Sequence, residues 1–237
     1  MLMDMKSHQK KENIIEVQKP LFKYYNTFAK KYFSTIPFTY YWYLTKIVGN
    51  AGNSLIDFGC GWGDPVEVLQ ARKKRYAVGV GIYDKYLGFV KNRHIYDRLL
   101  LEDISKYRRK ENFDIVLCSH VLEHLPKVAG RKLIKYFESI AIQKIVLTMP
   151  VGELPQPKFD GNKHQKHLSK WFPDDFIDRG YRVYGFSPKF IYGKNNVIKK
   201  MGVFGFFLFF LSYIIEPIYV RMPERCVYML AVKEKHA

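Results

Sequence analysis

From residue 54 onward, short apolar runs alternate with stretches whose apolar positions recur every three or four residues. Ser54 to Phe58 predicts a buried strand, and Pro65 to Lys74, with Val66, Val68, Leu69 and Ala71 at helical spacing, predicts a helix. Ala77 to Ile82 predicts a second strand and Tyr86 to His94 a second helix. Short strands follow at Leu99 to Leu101 and Phe113 to Cys118, then a helix from Arg131 to Ser139 and a strand from Lys144 to Met149, ending at Pro150. Strands alternating with helices at this spacing indicate an α/β protein with a doubly wound parallel sheet, covered by helices on both faces.

The end of the chain departs from that rhythm. Pro173 to Arg179 predicts a short helix, opened by a proline and closed by Gly180. Tyr181 to Phe186 and Cys226 to Lys233 predict two more strands with no ordinary crossover helix, hence an antiparallel edge on a mostly parallel sheet. Between them lies a hydrophobic insertion spanning about 187–225, whose core, Gly202 to Ile215, carries no charge before Glu216 and Pro217 interrupt it. A membrane span needs about 20 apolar residues, so this run is expected to be a covered helix or an interfacial one. Its basic flanks, Lys194, Lys199, Lys200 and Arg221, suit an anionic bilayer in contact with 202–220. Packing over a substrate mouth or in a dimer interface is the other reading, and both stay open.

Residues 1–50 have no evident partner in the α/β pattern and are read as an N-terminal helical appendage to a domain spanning 51–237. Thirty-nine Lys and Arg against 22 Asp and Glu give a net charge of +17, which draws a protein toward polyanions, although the basic residues are spread rather than massed. No RNA-binding module accompanies the domain, so nucleic acid ranks below a small-molecule or lipid-like partner. Cys60, Cys118 and Cys226 are far apart, which argues against a disulfide scaffold and against a structural zinc site. With no apolar run following Lys6, Lys10 and Lys11, the beginning of the chain does not read as a signal peptide. A cytoplasmic setting is expected, peripheral to a membrane if the insertion docks there.

The chemistry concentrates where the first strand ends, at Asp57-x-Gly59-x-Gly61-x-Gly63. Glycines there let the backbone approach a ligand, because no Cβ obstructs it. A dinucleotide fingerprint begun at Gly59 requires glycine at position 64, where the chain has Asp64. That carboxylate, with Asp57, would repel a pyrophosphate at the helix N-terminus. S-adenosylmethionine carries an ammonium and a sulfonium and no phosphate, so acidic neighbours suit it.

LIDFGCGWGDPVEVL (55–69) resembles the first motif of class I S-adenosylmethionine-dependent methyltransferases, and FDIVLCSHVLEHLPK (113–127) resembles their fourth-strand motif. GNKHQKHLSKWFPDDF (161–176) is similar to a stretch in the branch called type 11. The resemblance covers about 50–235 and implies a Rossmann-like seven-stranded sheet, with the cofactor across the carboxyl ends of its first four strands. By position, it implies that Asp57, Gly59, Gly61 and Gly63 contact the methionine end of S-adenosyl-L-methionine. It places Asp103 on the adenine amino group with Ile104 beside the ring, and Ser119 and His120 near the transferred methyl. The family's acidic residue ending strand two, which accepts the ribose hydroxyls, is here Gly81; Ile82 follows, and Asp84 is the candidate substitute.

His120-Val-Leu-Glu123-His124 also fits the H-x-x-E-H pattern of a zinc peptidase family, which needs both histidines on one helical turn. His120 falls at a strand-to-helix junction and Glu123 is expected in a first helical turn, so no metal is expected. His164 and His167 fall in a polar loop suited to covering an acceptor; His167, and with it His120, is a candidate for removing the acceptor's proton. The expected function is methyl transfer to a small-molecule or lipid-like acceptor. A noncatalytic membrane-associated scaffold and an RNA methyltransferase are the alternatives.

Overall fold

A computed structural model describes residues 34–154, 163–192 and 203–235, with the backbone alone for 203–210. Residues 1–33 of the predicted appendage, Gly161 and Asn162 of the third motif, Lys194, Lys199, Lys200 and Gly202 lie outside the described residues. The elements are α1 (Tyr40–Val48), β1 (Ser54–Phe58), α2 (Asp64–Arg72), β2 (Tyr76–Gly81), α3 (Asp84–Lys91), β3 (Arg98–Leu101) and β4 (Phe113–Ser119). They continue with α4 (Lys127–Ile140), β5 (Ala141–Pro150), α5 (Asp174–Ile177), β6 (Arg182–Pro188), α6 (Lys189–Tyr192), α7 (Val203–Tyr219) and β7 (Cys226–Glu234).

The seven strands form one sheet in the order β3-β2-β1-β4-β5-β7-β6. β1 pairs in parallel with β2 on one side and β4 on the other, which puts Asp57 beside Gly79 and Leu117. β7 runs antiparallel to both β5 and β6, so the late pair completes the edge, with β7 inserted inside β6. The strand order reverses between β1 and β4, and the carboxyl ends of those strands open the crevice where α/β sheets bind ligands.

Successive residues of each central strand feed opposite layers. Ile56, Phe58, Val78, Val80, Val116 and Cys118 pack with Leu133, Phe137 and Trp171 on one face. Leu55, Ala77, Ile115, Leu117 and Val146 pack with Val66 and Leu69 on the other. Strands buried on both faces are apolar at nearly every position, which explains their continuous runs in the sequence.

α1 belongs to that second layer. Thr39 caps it by accepting from the Trp42 backbone N–H at 3.3 Å, and Leu44 and Val48 are fully buried against Leu55, Leu69 and Leu230. The following linker is held by Arg75, whose buried guanidinium donates to the carbonyls of Gly49 (2.7 Å), Ala51 (3.0 Å) and Lys73 (2.9 Å). Asp114 fastens the next turn: it accepts from the Asn53 N–H (2.7 Å), the Ser54 N–H (3.0 Å) and the Ser54 hydroxyl (3.0 Å). Residues 34–50 are therefore part of the domain's packing and not only an appendage.

Several expectations shift. The helix predicted from Arg131 begins at Lys127, directly after Pro126, whose fixed φ opens it. The helix predicted from Tyr86 to His94 runs from Asp84 to Lys91. Glu123 is not in a first α-helical turn: it lies in a separate 3-10 turn, Leu122–His124, ahead of α4.

The uncharged run is helical within α7, and no helix among the described residues is long and apolar enough to cross a membrane. α7 lies along β6, where Glu216 accepts from the Ser187 N–H at 3.0 Å and Val220 accepts from the Gly185 N–H at 2.9 Å. Ser212 shares a 2.8 Å hydrogen bond with Tyr192.

Truncating Leu44 to Ala leaves a cavity between α1 and the sheet, and is expected to lower unfolding free energy by about 2–5 kcal/mol. Urea denaturation of Leu44→Ala measures this; a loss below about 0.5 kcal/mol would show that α1 is dispensable to the core.

Candidate active site

The chain leaves β1 through a turn that only glycine makes without strain. Gly59, Gly61 and Gly63 have φ of 78°, 47° and 76°. The Gly59 and Cys60 N–H groups both donate to the Val80 carbonyl, at 2.8 and 3.0 Å, and Gly63 donates to Cys60 at 2.7 Å. A Cβ on Gly59 would lie 2.2 Å from Val121 Cγ2, so glycine lets the exit of β4 close against the loop. A Cβ on Gly61 would meet only the Gly59 carbonyl, at 3.7 Å, which leaves open space on that side of the turn.

Asp57, second to last in β1, is 1% exposed. Its Oδ2 accepts from the Tyr96 hydroxyl at 2.7 Å, while Oδ1 is buried without a hydrogen-bond partner among the described residues. Burial pushes this carboxyl up to about 7, against the opposing pull of the Tyr96 bond. A cationic donor at Oδ1 would supply the missing partner and stabilise the ionised form. Asp64, which opens α2, is paired with Arg93 at 3.4 Å, and Arg93 also bonds Glu67, so part of the loop's negative charge is already compensated.

Along the neighbouring strand ends, Gly81 closes β2, Ile82 is 40% exposed, and Asp84 is exposed in the first turn of α3. A Cβ at Gly81 would sit at ordinary contact distance, 3.5 Å from Cys60 Sγ and 3.6 Å from Leu87, so space does not explain the glycine. Asp103 uses Oδ1 to cap its own loop, accepting from the Ser105 N–H at 2.9 Å and hydroxyl at 2.7 Å. Ile104 is buried in the core with Phe58 and Val80, so only a sliver of it faces any ligand.

Ser119 ends β4, and its Oγ lies 3.4 Å from the Tyr40 hydroxyl, which α1 carries in from the other side. Burial raises the Tyr40 phenol above its ordinary range, so it stays neutral. His120 takes a positive φ of 54°, donates its N–H to the Thr148 carbonyl at 2.8 Å, and stacks edge-on against Tyr228. It is therefore outside the register of the 3-10 turn, as the peptidase reading could not tolerate. His124 instead meets His167, with ring centroids 4.9 Å apart, and His164 is exposed in the 3-10 turn Lys163–Gln165.

The structure thus brings Asp57, the glycine turn, Ile82, Asp84 and Ser119 to one edge, joined by His120, the His124–His167 pair and two residues that the sequence did not flag. Tyr40 sits in an aromatic run, TYYWY, a signal of packing rather than of function. Tyr96 follows a helix with no motif around it. Among the described residues, the buried side-chain oxygens without partners include Asp57 Oδ1, Glu123 Oε2 and Thr148 Oγ1, which belong to this edge. A separate open groove, lined by Val128, Arg131, Trp171 and Phe172, lies between α4 and α5.

Residues 56–136 match the family model described as a methyltransferase domain. A search of the curated proteins found no significant match. Among solved structures, an S-adenosylmethionine-dependent methyltransferase from Archaeoglobus fulgidus aligns at 17% identity and TM-score 0.51, over 81% of this chain and 90% of that one. One from Mesorhizobium loti aligns at 14% identity and TM-score 0.51, over 82% and 97%. The small RNA methyltransferase HEN1 aligns at 16% identity and TM-score 0.54, over 83% of this chain. The chain spans only 25% of HEN1 and 65% of a magnesium protoporphyrin IX methyltransferase from Synechocystis. At these identities the likeness establishes the fold, and the family match identifies the segment that bears the glycine turn. Residues 56–136 carry the likeness to a methyltransferase domain and lie within a Rossmann-like seven-stranded sheet.

Proposed function

We propose that the protein transfers a methyl group from S-adenosylmethionine to a small-molecule or lipid-like acceptor. The observation that carries this reading is Asp57 Oδ1, a buried carboxylate oxygen without a partner among the described residues, on the strand that runs into the glycine turn. Leaving such an oxygen unpaired costs about 1–3 kcal/mol, and an ammonium donor offsets that cost. When bound, the cofactor supplies an electrophilic methyl group on a sulfonium.

The chain's own residues then have separable tasks. Asp57 and the backbone of Gly59–Gly63 hold the cationic amino-acid end, while Ile82 and Asp84 flank the sugar. Ser119, His120 and Tyr40 surround the place where an acceptor would be aligned, and alignment supplies much of the rate in such transfers. The lack of a carboxylate at Gly81 predicts modest cofactor affinity rather than none.

Calorimetric titration with S-adenosylmethionine tests the reading. The carboxyl of Asp57, raised to about 7 by burial, must be ionised to hold a cation, so affinity is lost as pH falls through that value. Between pH 7.5 and pH 6 the Kd is expected to rise roughly eightfold. Asp57→Asn should bind weakly with a flat profile. No binding at millimolar cofactor would instead favour the noncatalytic scaffold. Gly81→Asp, which the local space admits, is expected to tighten binding by about tenfold; an unchanged Kd would mean that Asp84 already serves the ribose.

The lipid-like acceptor draws on α7. Leu211, Ile214 and Ile218 recur at helical spacing and are 41%, 69% and 61% exposed, while Ser212 is buried and Glu216 turns toward β6. Burial raises the Glu216 carboxyl to about 7, against the Ser187 N–H that stabilises its charge. From Leu211 to Ile218 the helix turns Ser212 and Glu216 inward and three apolar side chains outward, the inverse of an ordinary surface helix. With a net charge of +17, an anionic lipid surface is its proposed partner. Replacing all three exposed residues by Ser should weaken co-sedimentation with phosphatidylserine vesicles by at least about tenfold; equal sedimentation would remove α7 as the contact.

A further inference from the structure

The exit of β4 and the loop before α5 meet at a side-chain cluster that methyl transfer does not require. A carboxylate oxygen of Glu123 and one ring nitrogen each of His124 and His167 lie within 4.8 Å of one another. Glu123 is 2% exposed; its Oε1 is 3.3 Å from His120 Nδ1, and its Oε2 is buried with no hydrogen-bond partner among the described residues. His124 Nδ1 lies 3.2 Å from the Lys166 carbonyl oxygen. A proton on Nδ1 donates to that carbonyl and leaves the Nε2 lone pair free, the second contact that orients a metal-binding imidazole.

The cluster is fixed by the backbone and does not depend on a flexible surface. The N–H groups of Leu168 and Ser169 both donate to the Glu123 carbonyl, at 2.7 and 3.1 Å. The Ser169 hydroxyl donates to the Leu122 carbonyl at 3.1 Å and accepts from the Trp171 indole at 3.0 Å. Trp171 is 1% exposed, so the loop carrying His167 is anchored in the core.

We propose that Glu123, His124 and His167 bind a divalent transition-metal ion, with Glu123 Oε2 as the oxygen donor. Two imidazoles and one carboxylate suit zinc, cobalt, manganese or iron(II), whereas magnesium and calcium favour sites built wholly of oxygen. Three protein ligands leave at least one position on the ion open to water or to an oxygen of a bound molecule. That His167 binds metal replaces its expected role as a proton-abstracting base. The binding itself does not rest on methyl transfer; only an acceptor oxygen at the open position does.

The test uses the full chain, dialysed against a chelator and titrated without cofactor. Zinc should bind at one ion per chain by calorimetry, cobalt should give visible absorption bands of a protein-bound ion, and magnesium should bind at least about a hundredfold more weakly. His167→Ala and Glu123→Gln should each weaken zinc by at least about tenfold, while His94→Ala, at an exposed histidine on another element, should not. If Glu123→Gln fails to fold by circular dichroism, His167→Gln carries the test alone. Absence of saturable zinc binding, or binding that His167→Ala leaves unchanged, overturns the proposal. Titrating the same sample with S-adenosylmethionine reads the methyltransferase function independently.

Discussion

Parallel pairing of β1 with both β2 and β4 is the constraint on which the rest of the molecule depends. It brings three strand ends to one edge with Asp57 between Gly79 and Leu117. Because those strands are buried on both faces, their polar groups gather at or close to the strand ends. The glycine turn, Gly81, Ser119 and His120 are the places where they stop. The same geometry forces the β4 exit against the β1 exit, which is why Gly59 cannot carry a Cβ beside Val121.

At that edge the protein departs from the rule that buried polar atoms find partners. Among the described residues, Asp57 Oδ1, Thr148 Oγ1 and Glu123 Oε2 are left without them, as are Arg98 Nε, Tyr107 Oη, Arg179 Nε and Tyr181 Oη elsewhere. Arg75 hands its buried charge to backbone carbonyls, and Asp114 gathers Asn53, Ser54 and Gln143 around its carboxylate. Asp57 meets Tyr96 and Glu123 meets His120, so the edge divides into two polar environments.

Two helices lie outside the alternating pattern, and one of them reaches this edge. α1 inserts Tyr40 beside Ser119 and packs Leu44 and Val48 into the sheet, so the N-terminal segment both stabilises and encloses. α7 lies on β6 and presents Leu211, Ile214 and Ile218 outward, while Ser212 and Glu216 are taken up by Tyr192 and Ser187. The burial of those polar groups, more than the apolar content of the helix, decides which face the solvent meets.

The order of strands and helices, the glycine turn and the domain class were legible in the sequence, since continuous apolar strands and helical spacing are local patterns that burial imposes residue by residue. The unusual value of Gly81 was legible too, as a missing carboxylate. What the sequence could not show were contacts between distant segments: Tyr96 on Asp57, Tyr40 at Ser119, Arg75 clasping Gly49, and His167 on His124. The H-x-x-E-H spacing suggested His120 and His124 as partners, yet a positive φ at His120 and a 3-10 turn separate them, and a loop more than forty residues away in sequence completes the cluster instead. Side-chain periodicity fixes which face a residue occupies, but only the packed chain decides which distant residue stands opposite it.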